Sequence, residues 1–277
     1  MTIMKLMTLG NRTRTAAAVL VAALALSAGV PFAQKSKSPA PKIPRTADGK
    51  PDLSGVWITG FLQLLIGEDE ARKIQQGDAA AGRTLPPPEP APYTAEAEKQ
   101  RQYFLTRRGI DDPMARCFIS GVPRITTRPL PFQIIQMKDQ VLILYEAHHA
   151  FRIIPTDGRK HPDDLEPSFL GDSVGRWEGD TLVVDVIGFN TKTWLAGVGT
   201  IHSEKLHVIE RYTRDSADTV RYDVTMEDPE VFTKPWHEHE IFRLRPNERL
   251  REYECIENNE DLQRFEKLLE IDPTLKK

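Results

Sequence analysis

Between residues 148 and 204 the chain concentrates groups able to move protons or grip a polar ligand: His148, His149, Arg152, Asp157, Arg159, His161, Arg176, Trp177, Asp185, Asn190, His202 and Glu204. Read as one strand, Val141 to Ile154 puts Val141, Ile143, Tyr145, Ala147, His149, Phe151 and Ile153 on a single side. That side is apolar apart from a phenol and an imidazole, which is how a barrel interior would present a donor and an acceptor to an enclosed molecule. Tyr222, Val224, Met226 and Asp228 share another side. A desolvated carboxyl there titrates higher than usual and serves as a base near neutrality. The chemistry this suggests is proton abstraction and return without a cofactor, of lyase or isomerase type. His149 or Asp228 would be the base, Tyr145 or His202 the donor, and Asp185 a further member of the set. The structural alternative for His149 is a core histidine satisfied by a carbonyl.

Asp157-Gly-Arg-Lys-His161 is a cation-loaded turn, and Gly171 to Trp177 is a polar loop entering a strand. At a barrel mouth Arg176 and Arg152 would suit a ligand carboxylate, phosphate or phenolate, and Trp177 and Trp194 would stack on a ring. Asn190 and Trp236 complete the expected ligand-facing set. The alternative is that Arg159 and Arg176 pair with Asp157, Asp172 or Glu178 and merely fix loops. His237-Glu238-His239 and His202 with Glu204 have the spacing that puts ligands on one side of a strand. No His-Glu-x-x-His, Cys-x-x-Cys or calcium-loop pattern accompanies them, so the metal-dependent hydrolase reading ranks below surface histidines. Gly-x-Ser-x-Gly, Gly-x-Gly-x-x-Gly and phosphate-loop strings are absent, which removes the main support for esterase and nucleotide readings.

The elements that must position these groups are strands. Glu178 to Asp185 reads as the second half of a hairpin closed by Gly179-Asp180. Strands are expected at Phe132–Met137, Val141–Ile154, Ser173–Trp177, Thr181–Val186, His202–Thr213, Thr219–Glu227, His237–Leu244 and Arg249–Ile256, after a first strand near Val56-Trp57. Turn chemistry separates them at Lys138-Asp139, Asp157-Gly158, Asp215-Ser216 and Pro246-Asn247. The fold class is mainly all-β: an antiparallel meander closed into a calycin- or lipocalin-like barrel, because closure removes exposed edges. Accessory helices are expected at Glu68–Gln76, at Thr94–Thr106 with Thr94 as N-cap, and at Glu260–Glu270, where Leu262, Phe265, Leu268 and Leu269 share a face. The proline run Pro86 to Pro90 separates the first two as an extended spacer.

Lys5, Arg12 and Arg14 precede an uncharged run from Ala16 to Val30, too short for a permanent span, and Ala28 and Ala33 offer cleavage points. This is a secretory signal over residues 1–33, and it implies a periplasmic or secreted protein with no stable membrane anchor once cut. An uncleaved N-terminal anchor is the alternative. Residues 34–50 read as a flexible leader and residues 51–277 as a single β-barrel domain with peripheral helices. Cleavage takes the basic count from 37 to 34 against 40 acidic residues, a net charge near −6, which does not favour nucleic acid as a partner. The expected partner is a small molecule. Cys117 and Cys255 suit one disulfide in an oxidising compartment, two unpaired buried thiols being the alternative. In the loop-entropy model such a closure stabilises by about 4–5 kcal/mol, less any strain.

Pro51-Asp-Leu-Ser-Gly-Val-Trp57, Gly121-Val-Pro-Arg124, Asp157-Gly-Arg-Lys-His-Pro162, Gly175-Arg-Trp-Glu-Gly-Asp-Thr-Leu-Val-Val-Asp185, Thr233-Lys-Pro-Trp236 and Glu252-Tyr-Glu-Cys255 resemble the signature strings of a family of secreted bacterial proteins from soil and water. The resemblance spans nearly the whole mature chain. It implies secretion and no particular activity. Three functions stay open: a cofactor-independent enzyme acting on a small amphipathic, aromatic molecule; a non-catalytic binding protein of lipocalin type; and the metal-dependent hydrolase. The first requires His149, Asp185, Asp228 and His202 to meet around one cavity, whereas dispersal favours the second.

Overall fold

The computed structural model of the protein describes residues 42–59, 76–80, 82–197, 199–257 and 259–275. It is mostly β. Among the described residues nine strands follow in the chain: β1 (Gly55–Ile58), β2 (Phe132–Gln136), β3 (Gln140–Tyr145), β4 (Phe151–Pro155), β5 (Asp172–Glu178), β6 (Thr181–Ile187), β7 (His207–Arg214), β8 (Thr219–Glu227) and β9 (Trp236–Leu244). Every paired neighbour is antiparallel, in the order β4-β3-β2-β1-β9-β8-β7-β6-β5. The sheet curls into a nearly closed barrel, bringing the end strands β4 and β5 together. Gly175 permits that approach, since a β-carbon there would lie 2.9 Å from the side chains of Ile154 and Thr156.

The β5–β6 hairpin forms as expected. Glu178 faces Thr181 across a two-residue Gly179-Asp180 turn, and Gly179 takes the positive φ of 60° that such turns favour. Asp180 accepts two hydrogen bonds from Arg45, at 2.9 and 2.6 Å. Residues 45–51, most of them expected in the leader, are thereby docked, with Arg45 bridging to Pro51.

Helices α1 (Ala95–Thr106), α2 (Arg124–Thr127) and α3 (Glu260–Ile271) decorate the barrel. Thr94 caps α1, its hydroxyl accepting from the Ala97 N–H at 3.3 Å. Phe265 of α3 is buried against Ile110, Ala115 and Leu275, and the Cys117–Cys255 disulfide ties this C-terminal region to the preceding loop. No helix among the described residues is long and apolar enough to cross a membrane. The helix expected at 68–76 lies outside the described residues except for Gln76, which belongs to a helical stretch described over residues 76–80.

Three strand expectations are corrected. Val141–Ile154 is two strands separated by a tight turn over Glu146–Ala150, in which His148 and His149 take left-handed φ of 59° and 49°. The turn inverts the alternation, so Arg152 and Ile154 face inward while Phe151 and Ile153 are exposed. His202–Thr213 begins pairing only at His207, because residues 202–206 are held in a loop by Asp228. Arg249–Ile256 forms no strand, consistent with a run of charged residues that offers no apolar side to bury.

The barrel interior is solid rather than hollow. Trp57, Phe132, Ile143, Tyr212, Tyr222 and Phe242 are fully or almost fully buried there, with the Tyr222 and Phe242 rings 4.9 Å apart. Among them runs one ionic network. Arg152 of β4 donates to both oxygens of Glu210 of β7, at 3.1 and 2.5 Å, and to Ser173 of β5 at 2.9 Å. Tyr212 and Tyr222 also donate to Glu210, at 2.8 and 2.9 Å. One end is closed by Arg214, whose guanidinium lies over Trp57 and donates to the carbonyls of Asp52, Ser216 and Ala217.

Candidate functional site

The residues singled out in the sequence do not share one site: Tyr145 meets Arg152, His161 meets Asp185 and His202 lies near Asp228, in three different places. Tyr145 faces the packed interior, bonded to Thr126 at 3.0 Å and to Arg152 at 3.4 Å. Burial, opposed by Arg152, raises its pKa. His149 is exposed in the β3–β4 turn and does not look inward. Asp228 is 2 % exposed, but its carboxylate is occupied by the Ser203 N–H at 2.6 Å, the Ser203 hydroxyl at 2.8 Å and the Glu230 N–H at 3.1 Å. It therefore fixes the loop that precedes β7. His202 is buried between Thr193 and the Ser203 carbonyl, at 2.7 and 2.9 Å, and burial lowers its pKa. It is a satisfied core histidine.

Asp185 lies on the outside of β6, the central member of a chain of side chains. Asp172 meets His161 Nδ1 at 2.5 Å, and His161 Nε2 meets Asp185 at 3.0 Å. Asp185 also meets His207 Nε2 at 2.9 Å, and His207 Nδ1 meets Glu227 at 3.1 Å. Burial raises the Asp185 pKa, but the bonds from His207 and His161 outweigh it and the net shift is downward. This relay clips the His161 loop onto strands β5 to β8.

The expected ligand-facing residues are dispersed as well. Arg176 is exposed and paired with Glu178 at 2.7 Å, and Arg159 is paired with Asp157 at 2.6 Å, which is the loop-fixing alternative in both cases. Trp177 points to the opposite side of β5 from Arg176 and lies under Lys50. Arg152 is locked in the interior network. Asn190 closes a turn through the Lys192 N–H, and Trp194 packs on Phe104. Trp236 donates to the Glu89 carbonyl at 3.1 Å, anchoring the proline spacer to the barrel. His237 and His239 do share a side of β9, but they bond to Thr225 and Asp223, at 3.0 and 2.6 Å. Among the described residues no three His, Cys, Asp or Glu side chains are grouped as metal ligands, so the His237, His239, His202 and Glu204 set does not assemble.

A cavity of about 690 Å³ opens elsewhere, where the barrel wall is interrupted. β1 pairs only with Arg243 and Leu244 at the end of β9, so among the described residues no strand covers His237–Glu240 on that side. The opposite wall is α2 with Arg128 and Pro129, and the spacer at Leu85–Glu89 and the loop at Leu195–Gly197 complete the enclosure. Most of its exposed lining is apolar, from Leu85, Pro86, Pro88, Met114, Pro129 and Leu195, and seven ionisable residues border it, among them Glu238, Glu240, Arg124 and Arg128. That is the composition of a small-molecule site.

Those groups were largely missed in the sequence. Glu238 and Glu240 lie opposite the inward residues Val224 and Tyr222, so both carboxyl groups sit on the barrel's inner side. Burial raises the Glu238 pKa, the nearby His239 opposing it. Alternation along Trp236, Glu238, Glu240 and Phe242 carried the signal, but the His-x-His spacing of the other side obscured it. Arg124 is held by Asp112 through two bonds, at 2.9 and 2.7 Å. Arg128 donates to Ser120 at 3.3 Å and to His148 Nε2 at 2.9 Å. Burial, and then the Arg128 charge, lower the His148 pKa to about 4, so the ring accepts as the neutral imidazole.

No model of a known protein family, no curated protein and no solved structure matches this chain. The fold and the cavity therefore carry the functional argument without a relative's help.

Proposed function

We propose that the protein is a binding protein for a small amphipathic molecule, held at the interrupted wall of the barrel, and that it works in the periplasm or outside the cell. The observation that carries this is the roughly 690 Å³ cavity between β9, α2 and the proline spacer, apolar in most of its lining and furnished with carboxyl and guanidinium groups. The separation of His149 and Asp185 from each other and from the neighbouring His202 and Asp228, which serve a loop, counts against the acid–base constellation first expected. The filled interior counts against a ligand seated on the barrel axis. The Cys117–Cys255 disulfide supports an oxidising compartment.

One observation keeps catalysis as a second reading. Glu238 combines a raised pKa with access to an enclosed apolar space, the usual condition of a carboxyl that exchanges protons with a substrate. On that reading Glu238 replaces His149 and Asp228 as the acid–base group of a cofactor-independent lyase or isomerase.

Native mass spectrometry of the purified mature protein, followed by solvent extraction, tests the binding reading. A retained small molecule that disappears in Gly197→Leu supports it. At residue 197 a β-carbon has only the Arg124 guanidinium nearby, at 3.9 Å, so a larger side chain occupies cavity space without backbone strain. A ligand retained equally by the variant contradicts the assignment to this cavity.

A further inference from the structure

The cavity lining holds the carboxyl groups of Glu89, Glu238 and Glu240 beside the guanidinium groups of Arg124 and Arg128, and it is the pairing of the two arginines that bears on what an occupant carries. Arg124 is neutralised by its two bonds to Asp112. Arg128 bonds instead to Ser120, His148 and Tyr253; Asp112 attracts it from a distance, but among the described residues no carboxylate lies within ion-pairing distance of it. Desolvation lowers the Arg128 pKa, so its environment already works against the charged form. A guanidinium withdrawn from water needs a counter-charge, and its planar fork fits a carboxylate, sulfonate or phenolate better than any neutral group.

Resting on the cavity as the ligand site, we infer that the occupant is an amphipathic organic anion, its acidic head paired with Arg128 and its apolar body against Leu195, Met114 and the spacer prolines. Glu238, on the inner side of β9, faces the same space. Burial raises its pKa, and in its protonated form it meets an anionic ligand as a hydrogen-bond donor rather than as a repelling charge. His148 serves as a positioning residue: its neutral Nε2 accepts from Arg128 and orients the fork without cancelling its charge.

Two fluorescent probes with the same ring system separate this inference from the reading beneath it: 1-anilinonaphthalene-8-sulfonate, which is anionic, and N-phenyl-1-naphthylamine, which is neutral. Each is titrated into the mature protein and into Arg128→Gln, Arg128→Lys and Gly197→Leu, with circular dichroism confirming that each variant folds. The expected result is binding of the sulfonate about tenfold tighter than the neutral probe, a ratio that falls to about one in Arg128→Gln and is partly kept in Arg128→Lys. Should Arg128→Gln fail to fold, the ratio in Arg128→Lys, which keeps the charge and loses the fork, decides. A ratio unchanged by the Arg128 variants overturns the anion anchor and leaves the cavity reading intact. If Gly197→Leu leaves both affinities unchanged, the probes bind elsewhere and both the inference and the reading fall.

Discussion

Arg152 and Glu210, from strands β4 and β7, meet inside the barrel with side chains 2 % and 0 % exposed, joined by two hydrogen bonds. Among the described residues no backbone ladder links β4 to β5, and this pair, with Ser173, helps tie the barrel's ends together from within. Replacing one member strands the other charge in a dry interior. Glu210→Gln or Arg152→Met should therefore lower stability by about 3–5 kcal/mol. Urea unfolding followed by tryptophan fluorescence measures this. A loss under 1 kcal/mol for both would show the pair to be dispensable.

The histidine beside the cavity makes stability depend on pH. His148 has its pKa lowered to about 4, so the unfolded chain takes up a proton first as the medium is acidified. The stability tied to the neutral ring is fully present above its unfolded value of about 6.5 and is lost progressively toward about pH 4. His202, also lowered, adds to the loss in the same direction. Urea midpoints at pH 7.5 and 4.5 should differ less in His148→Asn than in the parent protein. An equal drop in both would remove His148 from the account.

The Asp185 relay acts in a more acidic window. Its carboxylate pKa lies below the usual value, so its contribution is present above about pH 4 and disappears as pH falls through the folded value. Asp185→Asn at neutral pH should destabilise by about 1–3 kcal/mol, since it withdraws a charged acceptor from two histidines. Thermal melts at pH 7 decide, and cleavage by protease in the His161 loop should rise in the same variant. Unchanged melting and cleavage would make the relay decorative.

Much of the fold could be read from the chain, because its signals were local. Gly179-Asp180 between alternating apolar runs specified the β5–β6 hairpin, and Thr94 specified the start of α1. The β3–β4 turn could not be read that way. Two consecutive histidines with positive φ are an uncommon choice, and missing them put the residues from His149 to Ile154 on the wrong sides. That single inversion placed His149 inside and Arg152 outside. The site was the less legible part, since Arg128, Leu195, Pro86 and Glu238 lie far apart in sequence and converge only after the barrel forms. Asp228 and His202 were misread for a different reason: buried polar side chains near one another can serve loop geometry as readily as chemistry.

The disulfide is the clearest structural element joining the C-terminal region to the rest. Cys117 and Cys255 enclose 138 residues of sequence separation, so Cys117→Ser with Cys255→Ser should cost about 2–5 kcal/mol. Proteolysis should then remove α3 before the barrel is cut. Differential melting with and without reductant checks this, and coincident melting would contradict it.

A crystal structure of the mature protein grown with N-phenyl-1-naphthylamine tests the central claim most directly. The account places the naphthyl ring between β9 and α2, against Leu195 and beside Glu238. Density for the probe beneath α3, near Trp194 and Leu269, with the β9 cavity left to solvent, would contradict it.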